Sequence, residues 1–470
     1  MANHLTRQNI WTLSNNTWHP IILAYARSVG VLQDRDSDPD DPTRWEHQTQ
    51  VHWFDNLPQA QLFLNQCQHG SWYFLPWHRM YLYHFEAIIR SVIADDDSID
   101  AETKATWALP YWDYTKGENS RKLPPAFAEQ QLPDGARNPL FDDTRYINNG
   151  ESLDWRTVDI TAALFPSNFV TTNVAPGFGG PKTAWHHTVA VAGPLEGTPH
   201  GSVHTSVGDN MAGLDTAPTD PIFWLHHANI DRLWQVWLDA GQNHQNTNDP
   251  DWLSGEEFWF YNAARQQVKM TTAEVVDSIG QLNYEYEDTS VAGPLGEEPV
   301  EPEPDHPAQL VGATEEPIQL TGETTNVGFA VGAPAGPLDA EAAPSRVYLR
   351  LDDLTSADLP RVPYAVYLNI PDDDPSTPDD RYVGTASTFG IEQRANPDND
   401  HPEGMRLLFD ITDLYRRLNE AQQWSDRVSV RFVPLYVQPP AGPLDAGERV
   451  PGAEQRAGTI NVGQVSVQFQ

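Results

Sequence analysis

The chain has one cysteine, Cys67, among 470 residues. A single thiol excludes an internal disulfide framework and any zinc site built from several cysteines. Positive charge is scarce too: 29 Lys and Arg stand against 66 Asp and Glu, a formal charge of −37. Such a surface repels phosphate backbones and anionic lipid, so neither nucleic acid nor a membrane surface is an expected partner. No apolar run approaches the roughly 20 residues that span a bilayer, and the composition predicts a soluble protein. The opening segment MANHLTRQNIWTLSNNTWHP lacks a basic start ahead of an apolar core, and it has no twin arginine. The expected location is cytoplasmic by default. HEXXH is absent, which weakens a metalloprotease reading.

What is present divides the chain in three. Residues 1–288 are rich in Trp, His and helical periodicity, as in WHPIILAYARSVGVL, HRMYLYHFEAIIRSVI and FWLHHANIDRLWQVWL. Residues 289–340, with GPLGEEPVEPEPDHPAQ, are acidic, proline-rich and aperiodic, and read as an extended linker. Residues 341–470 carry short alternating segments such as RVYLRLDDL, YAVYLNI and VSVRFVPLYV, the pattern of a β-sandwich.

Histidines fall in two clusters. The stretch CQHGSWYFLPWHRMYLYHFE holds His69 and His78 in an aromatic, nearly uncharged run. GPLEGTPHGSVHTSVG places His200 and His204 four apart, one helical turn on one face. In TDPIFWLHHANIDRLWQVWL, Asp220 then Pro221 predict a helix start. Helical phase separates the two histidines that follow. His226 shares a stripe with Ile222, Ile230, Leu233 and Trp237 and reads as core; His227 shares a face with Phe223, Asp231 and Trp234 and reads as a ligand. Two all-histidine clusters without a second cysteine point to copper.

HGSWYFLPWHRMYLYHFE resembles the first copper signature of the tyrosinase, catechol oxidase and haemocyanin family, and DPIFWLHHANID resembles the second. The resemblance covers most of residues 1–288. It implies a mainly α catalytic domain, a four-helix bundle with long loops around a binuclear type-3 copper site that binds O2. Carried over position by position, it gives His52, His69 and His78 to one copper, with His52 favoured over His47. His200, His204 and His227 go to the other. Cys67, two before His69, matches the position of a cysteine that forms a covalent thioether to that histidine in fungal and mollusc members. Glu196 matches a glutamate that holds a water as base together with an asparagine, whose position here is Gly201. Glycine cannot orient that water, so diphenols are the safer expected substrates. Phe223 is expected near the coppers, Asp231 is expected to pair with Arg79 or Arg232, and Arg7 to stack on the Tyr284–Tyr286 element that ends the core.

The implied activity is oxidation of o-diphenols to o-quinones with O2. Small phenols are the substrates, and the implied cofactor leaves room for a copper-delivery partner. The β-sandwich is expected to lay a side chain into the pocket and keep the enzyme latent, though the sequence does not identify that residue. The alternatives are a haemocyanin-like oxygen carrier and an o-aminophenol oxidase.

Overall fold

A computed structural model describes residues 4–54, 63–172, 175–185, 191–241, 244–290, 308–332, 344–359, 362–371, 374–391, 404–438 and 457–470. Four longer helices organise the first half: α1 (Pro20–Asp34), α2 (Trp45–His52), α3 (Phe74–Asp95) and, later in the chain, α5 (Ile222–Asp239). The short α4 (Ser202–Val207) follows an irregular helical turn, 196–201, and precedes α5. α3 and α5 are buried on nearly every face, as their apolar and aromatic residues require, and they form the centre of one large core with α1 against them. Among the described residues no helix is long and apolar enough to cross a membrane.

α5 begins one residue later than Asp220–Pro221 suggested, with Pro221 as its cap. The Asp220 carboxylate still accepts the Ile222 N–H at 2.9 Å, but it is also held by buried Arg145 at 2.6 and 2.8 Å. That ion pair draws Asp220 into the core.

The ends of this half are tied together by a short parallel ladder, β1 (Leu5–Arg7) on β2 (Tyr284–Tyr286). Beneath it lies a buried ionic cluster. Asp231 accepts from Arg79 Nε at 2.5 Å, Arg7 Nη1 at 3.2 Å and the hydroxyls of Tyr284 and Tyr286. Arg7 stacks 3.8 Å over the Tyr284 ring and donates to Glu86 at 2.8 Å. Of the two arginines expected for Asp231, Arg79 is the one in place; Arg232 faces Asp113 at 3.5 Å. Burial alone would raise the Asp231 pKa, but Arg79 and Arg7 overcome it and hold the carboxyl below its ordinary value. Asp231→Ala leaves buried Arg79 without a carboxylate and Arg7 with Glu86 alone, and is expected to cost about 3–5 kcal/mol, read as a lowered urea midpoint.

The second half is a pair of sheets around its own core. Its strands are β3 (Gln309–Ala313), β4 (Ile318–Leu320), β5 (Thr325–Ala330), β6 (Val347–Ser356), β7 (Tyr364–Leu368), β8 (Tyr382–Ala386), β9 (Met405–Asp410), β10 (Arg427–Pro434) and β11 (Ile460–Phe469). One sheet runs β9-β6-β11-β3 with β4 also on β11, and the other β8-β7-β10-β5, all antiparallel. Leu349 opposite Val467 and Val366 opposite Phe432 set registers that turn apolar faces inward.

The expected linker over 289–340 is too long. β3, β4 and β5 lie inside it and pair with β11 and β10. Each shows only alternate residues to the core, and two contain glycine, so their composition averages to polar. YAVYL departs from alternation for the opposite reason. Every residue of β7 is buried, because its outer face turns toward the helical half, where Arg156 donates to the Tyr367 hydroxyl.

Candidate metal centre

Six histidines meet between α2, α3, α4 and α5. His52 ends α2, His69 lies in the turn before α3, and His78 occupies the second turn of α3. Their ring centroids stand 5.2, 5.3 and 5.6 Å apart. His200 closes the irregular turn, His204 sits on α4 and His227 on α5, with centroids 4.6, 5.0 and 5.3 Å apart. The two triplets touch through His78 and His227, stacked at 4.5 Å.

Backbone carbonyls fix the rings. Nδ1 of His52 donates to Leu214 O at 2.9 Å, that of His78 to Phe74 O at 2.8 Å, that of His200 to Glu196 O at 3.0 Å, and that of His204 to Met211 O at 2.8 Å. A carbonyl only accepts, so in each ring Nδ1 carries the proton and Nε2 keeps its lone pair. Burial drives the pKa of His78, His204 and His227 well below the usual value and that of His200 down to about 3, so all four are neutral. His204 Nε2 and His227 Nε2 lie 3.2 Å apart. Nε2 of His78 and of His200 is buried without a hydrogen-bond partner among the described residues. Buried lone pairs left this way cost about 1–3 kcal/mol each. A neutral, carbonyl-anchored, all-nitrogen donor set fits a soft-to-borderline transition metal cation such as copper.

The other expected site residues fall around this cluster. Phe223 lies 4.2 Å from His227 and 5.4 Å from His52. Cys67 is buried, with a ligating atom within 4.8 Å of those of His52 and His69, and its N–H donates to His52 O. Glu196 Oε1 accepts the Gly70 N–H at 2.7 Å, and burial pushes the carboxyl up to about 8 against the lowering effect of the Gly70 and Gly193 backbone N–H groups. Gly201 adjoins His200.

His47 points away and packs edge-on against Tyr261. His226 is closer to the cluster than its apolar stripe suggested. Its ring is nearly parallel to that of His200 at 5.7 Å, lies 4.8 Å from His204, and contacts the Tyr114 hydroxyl at 3.3 Å through Nδ1. α5 is buried all round, so helical phase gave a face but not what lay against it. His186 and His187, expected near the pocket, lie outside the described residues.

One residue of the site left no mark in the sequence. Phe389, in the turn after β8, stacks 4.2 Å from His204 at 13° and lies 5.4 Å from His200 and 6.1 Å from His69. It belongs to the β half but is buried in the core of the helical half. A cavity of about 10 Å³ lies beside it, lined by Glu196, His200, Ser387, Phe389 and Leu407 among others. That is room for roughly one water.

The common central domain of tyrosinase matches residues 42–174 and 141–240, and the polyphenol oxidase middle domain matches 246–293. Residues 307–469 match a domain of unknown function. Tyrosinase HcTyr1 of Hahella sp. is 30% identical over 92% of this chain and 96% of its own length. The chain belongs to the tyrosinase family. This tyrosinase-family member is thus an enzyme of the polyphenol oxidase type, from a family of type-3 copper oxidases acting on small phenols. The latent chloroplastic polyphenol oxidase of Prunus armeniaca is 32% identical over 54% of this chain and 44% of its own length. The structure of latent apple tyrosinase superposes with a TM-score of 0.64 at 24% identity, covering 100% of this chain and 98% of that one. The tyrosinase fold here is therefore a helical core with a C-terminal sheet domain.

Proposed function

We propose that this chain oxidises o-diphenols to o-quinones at two coppers, one held by His52, His69 and His78 and the other by His200, His204 and His227, and that its β half keeps it latent. The observation that carries the reading is the convergence of carbonyl-anchored, neutral imidazoles on one buried centre. Bound copper would supply O2 binding and the electron transfer, two diphenols giving two quinones and two waters per O2. The protein supplies the rest. The face of His204 now covered by Phe389 is shaped for an aromatic ring, and the surrounding rings exclude water. Glu196, positioned by the Gly70 N–H, accepts a phenolic proton once its carboxyl is ionised.

A free phenol has a pKa near 10, so a monophenol depends on that proton acceptor more than a catechol does. With Gly201 offering no side chain beside Glu196, L-DOPA is expected to turn over rapidly and tyrosine slowly after a lag. Oxygen uptake by the copper-loaded protein, before and after limited proteolysis, tests the reading. Reversible O2 binding without turnover of any catechol in either form would overturn it in favour of an oxygen carrier.

Cys67 is assigned a thioether to His69. The bond would join Sγ to a ring carbon of His69, with the thiol and ring hydrogens lost as two protons and two electrons to O2, giving H2O2; bound copper would supply the redox chemistry. The copper-loaded protein should weigh two hydrogens less than its sequence and show no titratable thiol. A free thiol in the fully loaded, denatured enzyme would refute the assignment.

A further inference from the structure

We infer that Gly201 is the socket into which the β half closes, and that glycine stands there for the space it leaves. The inference rests on the latency proposed above. The backbone of Gly201 is ordinary helix, φ −67° and ψ −31°, so no conformational demand calls for glycine. In such a setting glycine is less favourable than alanine, because it loses more freedom on folding. The reason lies in what a side chain would meet. A Cβ at 201 would stand 2.3 Å from Ser387 Oγ, 3.0 Å from Phe389 Cβ and 3.3 Å from Glu196 O. Gly197, four residues earlier, would meet nothing within 4 Å. The tight fit is therefore particular to the turn that carries Phe389.

Neither neighbour yields freely. Ser387 Oγ can rotate, but it accepts the Phe389 N–H at 3.4 Å and so braces the turn. Phe389 Cβ is fixed between its backbone and a ring stacked on His204. The contact continues on one side, where Thr198 donates to Thr385 O at 3.2 Å. The segment 198–204 and the turn 385–389 thus meet as one surface, with Gly201 at its tightest point. A side chain at 201 lifts the turn and withdraws the Phe389 ring. Closure and a side chain beside Glu196 exclude each other in this chain.

The test uses the full-length, copper-loaded protein and its Gly201→Ala, Gly201→Asn, Ser387→Ala and Gly201→Ala/Ser387→Ala variants. Amide hydrogen exchange at 387–391 reads closure, and L-DOPA turnover reads its consequence. Exchange is expected to quicken in the order parent, Gly201→Ala, Gly201→Asn. Turnover without proteolysis should rise about tenfold or more in Gly201→Asn, the effect of a tenfold shift toward the open state. Removing Ser387 Oγ should return Gly201→Ala part of the way to the parent. Since alanine favours the helix, Gly201→Ala folds even if the asparagine variant does not. Unchanged exchange in both Gly201 variants overturns the inference, as does a rise in turnover with exchange unchanged, which would place the effect in the chemistry. Faster exchange with flat turnover leaves the socket standing and removes the latency beneath it.

Discussion

Replacing His227 by alanine is expected to remove one copper per chain and lower diphenol turnover by more than about a hundredfold, whereas His226→Ala keeps both coppers. The two side chains are adjacent and equally buried, so burial does not separate them. Geometry does. His227 directs Nε2 at His204 Nε2, 3.2 Å away, and stacks on His78 across the centre, so it touches both triplets. His226 lies behind His200 and His204 with Nδ1 on the Tyr114 hydroxyl. It supports ligand rings without meeting the opposite triplet. Residues that orient ligands cost about 10–100-fold when removed, and loss of a ligand should exceed that. Copper per chain by atomic absorption, beside kcat and KM for a small catechol, separates the two roles. Loss of copper from the His226 variant with retention in the His227 variant would reverse the ligand assignment.

The helical half and its histidines were legible because their information is local. A histidine pair one turn apart, an aromatic run and the Asp-Pro helix start each sit within a few residues, and helical periodicity turns them into faces. Where the outcome depended on contacts between distant segments, legibility ended. His226 reads as part of a core stripe because phase reveals a face and not its neighbours. β3 to β5 read as linker in the sequence because single-faced burial and glycine dilute a strand's apolar signal. Phe389 is one aromatic residue in a Ser-Thr-Phe-Gly turn, and nothing near it in sequence refers to His204. From sequence alone Gly201 is a missing side chain. Its surroundings show why a side chain does not fit there while the β half is docked.

Truncating Phe389 to alanine is expected to activate the intact chain, raising catechol turnover at low substrate by about a hundredfold. The ring is buried against three of the six histidines, and deleting such a phenyl group costs about 3–5 kcal/mol of packing. Part of that energy is retained by the rest of the interface, where Gln438 pairs with the Ser152 backbone and Arg156 binds Tyr367. About 3 kcal/mol lost from the closed state shifts its population roughly a hundredfold. The distribution between kinetic constants identifies how the ring acts. A plug that competes with substrate for one face of His204 reduces the competent fraction, so its removal lowers apparent KM and leaves kcat little changed. A plug that holds the whole β half down gates access instead, and its removal raises kcat. Phe389→Leu, which keeps apolar bulk without an aromatic face, should fall between parent and alanine in either case. If Phe389→Ala stays latent while proteolytic release of the β half activates, the block lies in the backbone of the 385–391 turn over the cluster and not in the ring.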